Sequence, residues 1–172
     1  YNLSTSPYTL RNRISNLISN VTCIALHPRI LLLACCLFKN IIITYDLTTS
    51  PPAVKCHYKL HNNGVSCIAF HPSLSLLAIC SWDHTTIFYD LSTPLPTVKY
   101  HFKNHSDNVL SIEFHQNFSL CATGSRDCST ILYDMSTSPP TVQYRLKNHT
   151  GNVDLVAFHS NYPLLATCSS DN

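Results

Sequence analysis

Glycine is scarce in this sequence, which contains Gly64, Gly124, Gly151 and no others in 172 residues. A phosphate-binding loop needs clustered glycines so that successive backbone amides can approach the phosphate groups. The three glycines are too far apart to form such a loop. The sequence therefore contains no glycine-rich nucleotide-binding motif.

Long hydrophobic runs and export signals are also lacking. The longest apolar run, Ile30 to Phe38, is about half of the roughly 18 residues that a membrane-spanning helix requires. No basic segment followed by apolar and small residues marks a signal peptide. We therefore expect no membrane span and a cytoplasmic or nuclear location.

Charge and cysteine spacing add two further exclusions. Charged residues make up 12% of the chain and the net charge is +2, so composition alone indicates neither a nucleic-acid binder nor an acidic solvating tail. Nine cysteines occur, but Cys35 and Cys36 are adjacent and no C-x-x-C pair is present. We expect reduced, mostly buried cysteines, and we expect no metal and no cofactor.

What the sequence does contain is a repeat with a period of 44 residues. A fixed period in this range indicates an array of units, none of which can bury its own apolar face alone. We place the repeats at about 17–60, 61–104, 105–148 and 149–172, with 1–16 as the end of a preceding repeat. The clearest recurring residues are Tyr45-Asp46, Tyr89-Asp90 and Tyr133-Asp134; His61, His105 and His149; and His27, His71, His115 and His159.

Each repeat has the pattern of four short β-strands. In the second repeat, residues 65–70, 76–81, 86–89 and 98–102 are rich in β-branched and aromatic residues, and clusters of Pro, Ser, Asn and Asp separate them. This pattern excludes a helical solenoid and predicts an all-β propeller of four-stranded antiparallel blades. We expect three complete blades and one incomplete blade, as in a fragment of a larger propeller. A small four-bladed ring is the alternative that the residues leave open.

The repeat resembles the WD-repeat family, whose unit runs from a Gly-His pair through a Ser-x-Asp turn to a closing Trp-Asp. The sequence departs from that pattern in two ways, because Tyr replaces the closing Trp, and Leu60, Asn104 and Asn148 replace the Gly before His. The resemblance implies a buried hydrogen-bonded tetrad in each blade. By matching positions, its members are His61, Asp83, Tyr89, His105, Thr123, Asp127, Tyr133, His149, Thr167 and Asp171. Ile79 and Cys35 stand at the hydroxyl position and cannot supply a hydroxyl, and in the first unit Leu17 and Lys39 replace both His and Asp.

Catalysis is not expected, because the polar residues recur once per repeat. A Ser-His-Asp triad formed by Ser81, His61 and Asp83 would have to occur again in the next two repeats, whereas a catalytic group is needed once. The repeated acids and histidines are therefore interpreted as structural. The resemblance implies a non-catalytic scaffold or adaptor that binds other proteins or peptides on the propeller face.

Positions that vary between repeats are candidates for recognition. The residue before the turn Asp is Phe38, Trp82, Arg126 or Ser170 in successive repeats, and Trp and Arg are enriched among interface hot spots. We predict that a partner-binding surface includes Phe38, Trp82, Arg126, Asn62, Asn63 and Asp107. The alternative is that Trp82 only packs over a neighbouring loop.

Basic residues concentrate on the predicted fourth strand of each repeat. They are Arg11, Arg13, Lys55, Lys59, Lys99, Lys103, Arg145 and Lys147. We interpret them as protection of exposed strand edges. The alternative is a basic outer rim that binds nucleic acid or phospholipid.

Overall fold

The structure is a computed structural model, and it describes residues 4, 6–7, 10, 13–15, 17, 19–38, 40–58, 61–93 and 95–171. Fourteen β-strands and no helix occur among these residues. This confirms the predicted all-β class. Residues 1–16, which we interpreted as the end of a preceding repeat, lie mostly outside the described residues.

Twelve strands form three four-stranded antiparallel sheets, which are the blades of the repeat. The strands of blade 1 are β1 (Val21–Leu26), β2 (Leu32–Leu37), β3 (Ile41–Asp46) and β4 (Ala53–Tyr58). Those of blade 2 are β5 (Val65–Phe70), β6 (Leu76–Ser81), β7 (Thr86–Asp90) and β8 (Thr97–Phe102). Those of blade 3 are β9 (Val109–Phe114), β10 (Leu120–Ser125), β11 (Thr130–Asp134) and β12 (Thr141–Leu146). Blade 4 has two described strands, β13 (Val153–Phe158) and β14 (Leu165–Ser169).

The first strands of consecutive blades lie side by side, so the blades are arranged around a common axis. One apolar cluster joins blades 1 and 2 and includes Ile42, Ile68 and Leu77. A second cluster joins blades 2 and 3 and includes Phe88 and Ile112. Because each cluster draws side chains from two blades, a blade completes its core only against a neighbour.

A repeated histidine at the turn between the first and second strands fixes the spacing between blades. The Nδ1 atom of His71 accepts hydrogen bonds from the backbone amides of Ser73 (3.1 Å) and Leu74 (3.0 Å). Its ring also packs on Phe114 of the next blade, at a centroid distance of 4.9 Å. The equivalent histidines pack on the next blade in the same way, His27 on Phe70 and His115 on Phe158.

Apolar residues are exposed on the faces of blades 1 and 4 that point away from the other described blades. Ile24 on β1 is 63% exposed, whereas Ile68 and Ile112, at the same repeat position, are each 5% exposed. At the other end, Leu155 on β13 is 57% exposed. The same repeat position is therefore apolar core or exposed surface according to whether another blade packs on it.

All nine cysteines are free thiols, of which Cys35, Cys36, Cys80 and Cys121 are buried. Four of the others are half-buried and Cys168 is exposed. The cysteines are thus less uniformly buried than we expected.

Candidate functional site

The loops between blades and the turns between the second and third strands of each blade lie together on one face of the molecule, which we call the loop face. The backbone amide of Trp82 donates to the carbonyl of Gly64 (2.8 Å), and the amide of Arg126 donates to Asn108 (2.9 Å). Equivalent bonds join Phe38 to Asn20 and Ser170 to Asn152. These bonds hold each of the four residues beside the loop that precedes the first strand of its own blade. In blades 2 to 4 that loop carries His61, His105 or His149, and in blade 1 Leu17 stands at the histidine position.

Blade 3 contains the most complete buried polar network. His105 Nδ1 lies 3.0 Å from Asp127 Oδ2, and His105 Nε2 lies 2.8 Å from Thr123 Oγ1. Asp127 also accepts hydrogen bonds from the Ser106 amide (2.9 Å) and the Ser129 hydroxyl (2.6 Å). Buried polar groups that are satisfied in this way define the loop geometry instead of destabilising the blade.

The pKa shifts show which group carries charge in this network. Burial lowers the pKa of His105, and the nearby Asp127 only partly offsets this. Burial acts to raise the pKa of Asp127, but hydrogen bonds from Ser129, Ser106 and His105 outweigh it and hold that pKa well below its usual range. At neutral pH, a neutral histidine therefore donates a hydrogen bond from Nδ1 to an ionised carboxylate and accepts a hydrogen bond from the Thr123 hydroxyl at Nε2.

Tyr133 completes the network at the closing position of the blade. Its hydroxyl accepts a hydrogen bond from Asn104 Nδ2 at 3.4 Å, and it also interacts with the Thr123 side chain. Burial raises its pKa to about 12, so the hydroxyl stays protonated and able to donate. A tyrosine can thus occupy the closing aromatic position and still join the polar network.

Blade 4 repeats the arrangement as far as the structure describes it. His149 Nδ1 lies 3.1 Å from Asp171 Oδ2, and His149 Nε2 lies 2.8 Å from Thr167 Oγ1. The backbone amide of Thr150 is the main cause of the lowered pKa of Asp171, which is about 2.

Blade 2 lacks a hydroxyl equivalent to that of Thr123. His61 Nδ1 lies 3.0 Å from Asp83 Oδ2, but Ile79 stands where blade 3 has Thr123. The His61 Nε2 atom and the Tyr89 hydroxyl are buried, and neither has a hydrogen-bonding partner among the described residues. Burial is the main cause of the lowered pKa of His61, and the Ile79 backbone has only a small effect on it.

Blade 1 replaces the network with apolar packing. Leu17, at the histidine position, packs against the buried cluster that contains Cys35 and Tyr45. Lys39, at the aspartate position, lies outside the described residues.

The family model for the WD domain, G-beta repeat, matches residues 54–90, 96–134 and 140–172, which together cover more than half of the chain. The chain belongs to the WD-repeat family. A comparison with curated proteins gives no match.

Four of the six candidate recognition residues of this WD-repeat chain line two depressions on the loop face. Phe38, Asn63 and Trp82 line a groove of about 400 Å³ between blades 1 and 2. Trp82 and Arg126 line a second depression of about 270 Å³, to which blades 2, 3 and 4 all contribute residues. Phe38 is 61% exposed and Trp82 is 45% exposed.

Two predicted recognition residues line neither depression. The Asn62 side chain is exposed, and its backbone amide donates to Asp83 at 2.9 Å. Asp107 accepts a hydrogen bond from the Asn108 amide at 2.7 Å and lies 3.9 Å from His84. Both residues therefore lie on the loop face beside the depressions and take part in contacts within the chain.

Trp82 both packs on a loop and remains exposed. A Cβ atom added at Gly64 would lie 2.8 Å from Trp82 Cε3, so the indole rests directly on the Gly64 backbone. Only glycine allows the ring to approach this closely. The packing fixes one side of the indole, and the two depressions lie beside it.

Sequence reasoning missed six polar residues of these depressions. Thr22, Asn40 and Ser66 line the first, and Asn108, Asn152 and Asp154 line the second. Asparagine is common in turns, so its presence there gave no signal of a surface role.

The described basic residues do not all lie on the fourth strands, where we predicted them. Lys55, Lys99 and Arg145 lie within fourth strands, whereas Lys103 and Lys147 follow the strand ends and Arg13 lies outside any strand. Arg11 and Lys59 lie outside the described residues. The predicted placement of all eight on the fourth strand is therefore wrong in part, because Lys103 and Lys147 each follow the last residue of a strand.

Two of these basic residues are also engaged within the chain. Lys99 Nζ lies 3.0 Å from Asp90 Oδ2. Arg145 donates to Ser129 Oγ at 3.2 Å and to the Asn104 carbonyl, and lies 3.9 Å from Asp127. Arg145 is thus bound to the polar network of blade 3 instead of extending from the rim.

Among the described residues, no group of three His, Cys, Asp or Glu side chains is placed to hold a metal ion. The same residues include no helix long and apolar enough to cross a membrane.

Proposed function

We propose that this WD-repeat chain is a non-catalytic interaction scaffold that binds another protein through the loop face around Phe38, Trp82 and Arg126. The observation that carries this proposal is the exposure of Trp82 between two depressions, at a position where each repeat has a different residue. Aromatic and arginine side chains placed beside pockets are typical anchors of protein interfaces.

The repeated polar residues support a non-catalytic role. His105 and Asp127 satisfy each other inside blade 3 and are buried or half-buried. The equivalent pairs in blades 2 and 4 have nearly the same distances. A histidine and an acid that hold a loop in every blade have the geometry of scaffold residues rather than of a single reaction centre.

The test is affinity capture of binding proteins with a Trp82→Ala, Arg126→Ala double variant. We expect the variant to fold, because both side chains are exposed, and to lose at least one protein that the unmodified chain captures. Phe118→Ala is a matched control, since Phe118 is a partly exposed aromatic residue at the opposite end of its blade. Retention of every captured protein by the folded double variant would refute the assignment of this face.

A further inference from the structure

Blades 1 and 2 each place two cysteines opposite each other on their first two strands. Cys23 on β1 pairs with Cys36 on β2, and Cys67 on β5 pairs with Cys80 on β6. Directly opposite residues of antiparallel strands have Cα atoms about 4.5 to 5.5 Å apart. Disulfides span Cα separations of roughly 4.4 to 6.8 Å. Both pairs therefore have the strand geometry that a disulfide requires.

The other two blades have different residues at these repeat positions. Ser111 lies opposite Gly124 in blade 3, and Leu155 lies opposite Cys168 in blade 4. Opposed thiols are thus not a requirement of the blade fold. Cys168 is exposed and faces an apolar residue across the ladder, so it provides an internal comparison for an accessible thiol without a partner thiol.

The thiols of blade 1 interact with each other, whereas burial dominates those of blade 2. Cys36 is fully buried and Cys23 is half-buried. Their mutual hydrogen bond is the main cause of the lowered pKa of Cys23 and of the raised pKa of Cys36. Burial raises the pKa of both Cys67 and Cys80. The Cys36 thiol therefore donates to Cys23, and Cys23 is the sulfur that ionises first.

The adjacent Cys35 does not compete for Cys23. Successive side chains of a strand point to opposite faces of the sheet. Cys35 packs in the cluster that contains Tyr45, whereas Cys36 belongs to the cluster between blades 1 and 2, against which Cys23 also packs. The thiol on the same face as Cys23 is therefore that of Cys36.

We propose that Cys23 is a site of oxidation by hydroperoxides and that Cys36 completes the reaction by forming a disulfide across β1 and β2, ahead of the Cys67–Cys80 pair. The site lies within blade 1 and does not depend on the proposed binding function of the loop face. Because the bond joins two strands that are already paired, the blade keeps its fold in both states, and a dithiol reductant can reverse the step by exchange.

The reaction balances with one molecule of hydrogen peroxide. The Cys23 thiolate attacks one peroxide oxygen, the O–O bond breaks, and Cys23 becomes a sulfenic acid while the departing hydroxide takes up a proton to form water. The Cys36 sulfur then loses its proton and attacks the Cys23 sulfur, which forms the S–S bond and releases the sulfenic oxygen as a second water. Two thiols are oxidised by two electrons, and the peroxide is reduced to two water molecules.

The test treats the whole reduced chain with hydrogen peroxide, alkylates the remaining thiols with iodoacetamide and digests the product with trypsin in the absence of a reductant. Trypsin cleaves after Arg29 and Lys39, so Cys23 and Cys36 lie in different tryptic peptides. We expect mass spectrometry to find residues 14–29 joined to residues 30–39, and dithiothreitol to separate them. Fragment spectra should place the bond at Cys36 and an alkyl group on Cys35.

Variants and the second pair make the test specific. Cys35→Ser is the matched control and should keep the joined peptides. Cys36→Ser should abolish them and leave Cys23 as a sulfenic acid that dimedone labels. A bond between Cys67 and Cys80, detected after chymotryptic cleavage at Phe70, should form at least about 10-fold more slowly, because burial keeps both thiols protonated.

Cys168 sets the amount of peroxide, which is increased until this exposed thiol is oxidised. If Cys23 and Cys36 can then still be alkylated in the unmodified chain, the proposal is overturned. A joined peptide in which Cys35 carries the bond, or a Cys67–Cys80 bond that forms first, also overturns it. These measurements use the unmodified chain, so they decide the question even if Cys36→Ser fails to fold.

Discussion

Blade 2 offers a test of whether the polar network is a cooperative structural unit. In blade 3, the Thr123 hydroxyl lies 2.8 Å from His105 Nε2 and also interacts with Tyr133. In blade 2, Ile79 leaves both His61 Nε2 and the Tyr89 hydroxyl without a partner among the described residues. A threonine at position 79 would be placed to donate to His61 and to accept from Tyr89.

The informative comparison is between Ile79→Thr and Ile79→Val, because Thr and Val have almost the same shape. Ile79 is fully buried, and Ile→Val at such a site costs about 0.5 to 1.5 kcal/mol. Replacing Val by Thr in an apolar core usually costs a further 1 to 3 kcal/mol or so, because the hydroxyl is buried without a partner. Here the hydroxyl would gain two partners, each worth about 1 kcal/mol, and would satisfy two buried groups.

We therefore expect Ile79→Thr to be more stable than Ile79→Val by about 1 to 2 kcal/mol. For a chain of this size that corresponds to a difference in Tm of roughly 2 to 8 °C. The assay is urea unfolding followed by circular dichroism, with the denaturant slope checked to be unchanged. At the equivalent position of blade 3, Thr123→Val should destabilise the chain by about 1 to 3 kcal/mol. A valine variant at position 79 that equals or exceeds the threonine variant in stability would refute this account of the network.

Two further predictions follow from the turns. Burial, and to a smaller extent the charge of Arg29, lowers the pKa of His71 to about 4. In the unfolded chain the pKa of a histidine is about 6.5. His71 therefore contributes its full stabilisation above a pH of about 6.5 and loses that contribution as the pH falls towards 4. The difference in free energy of unfolding between the unmodified chain and His71→Asn should shrink over this range, and a difference that is independent of pH would contradict the assignment. Cys128 has φ of 64° at the repeat position where blade 1 has Asn40, whose φ is 65°. Asparagine tolerates a positive φ better than cysteine does. Cys128→Asn should therefore stabilise blade 3 by about 0.5 to 1 kcal/mol. Asn40→Cys is the reverse control and should destabilise blade 1, with both effects measured by thermal unfolding.

The candidate site was predictable where repeats could be compared. Trp82, Phe38 and Arg126 stood out because they vary at one repeat position, and the structure places all three at the two depressions. The asparagines at positions 40, 108 and 152 were not predictable as lining residues of the two depressions, because their placement depends on which loops of adjacent blades meet. Asn62 and Asp107 lie on the same face, but their neighbours engage them within the chain.

The basic residues show the limit of reasoning from a strand pattern. Alternation predicted which side of a strand each residue occupies, but the direction of a long side chain depends on nearby partners. Arg145 turns towards Ser129, Asn104 and Asp127 of its own blade, which no sequence position records. The engagement of Arg145 within its own blade therefore became visible only in three dimensions.

The sequence by itself determined the period and the four-stranded unit, and its resemblance to the WD-repeat family implied which polar residues meet inside each blade. These features depend on contacts within one repeat, where the strand alternation and turn residues are sufficient to define the local structure. The tertiary structure alone decided which surfaces are core and which are exposed. Ile24 and Ile68 occupy the same repeat position, yet one is 63% exposed and the other 5%, because burial at that position is supplied by a neighbouring blade. The groove at Trp82 has the same origin, since it exists only where the loops of two adjacent blades come together.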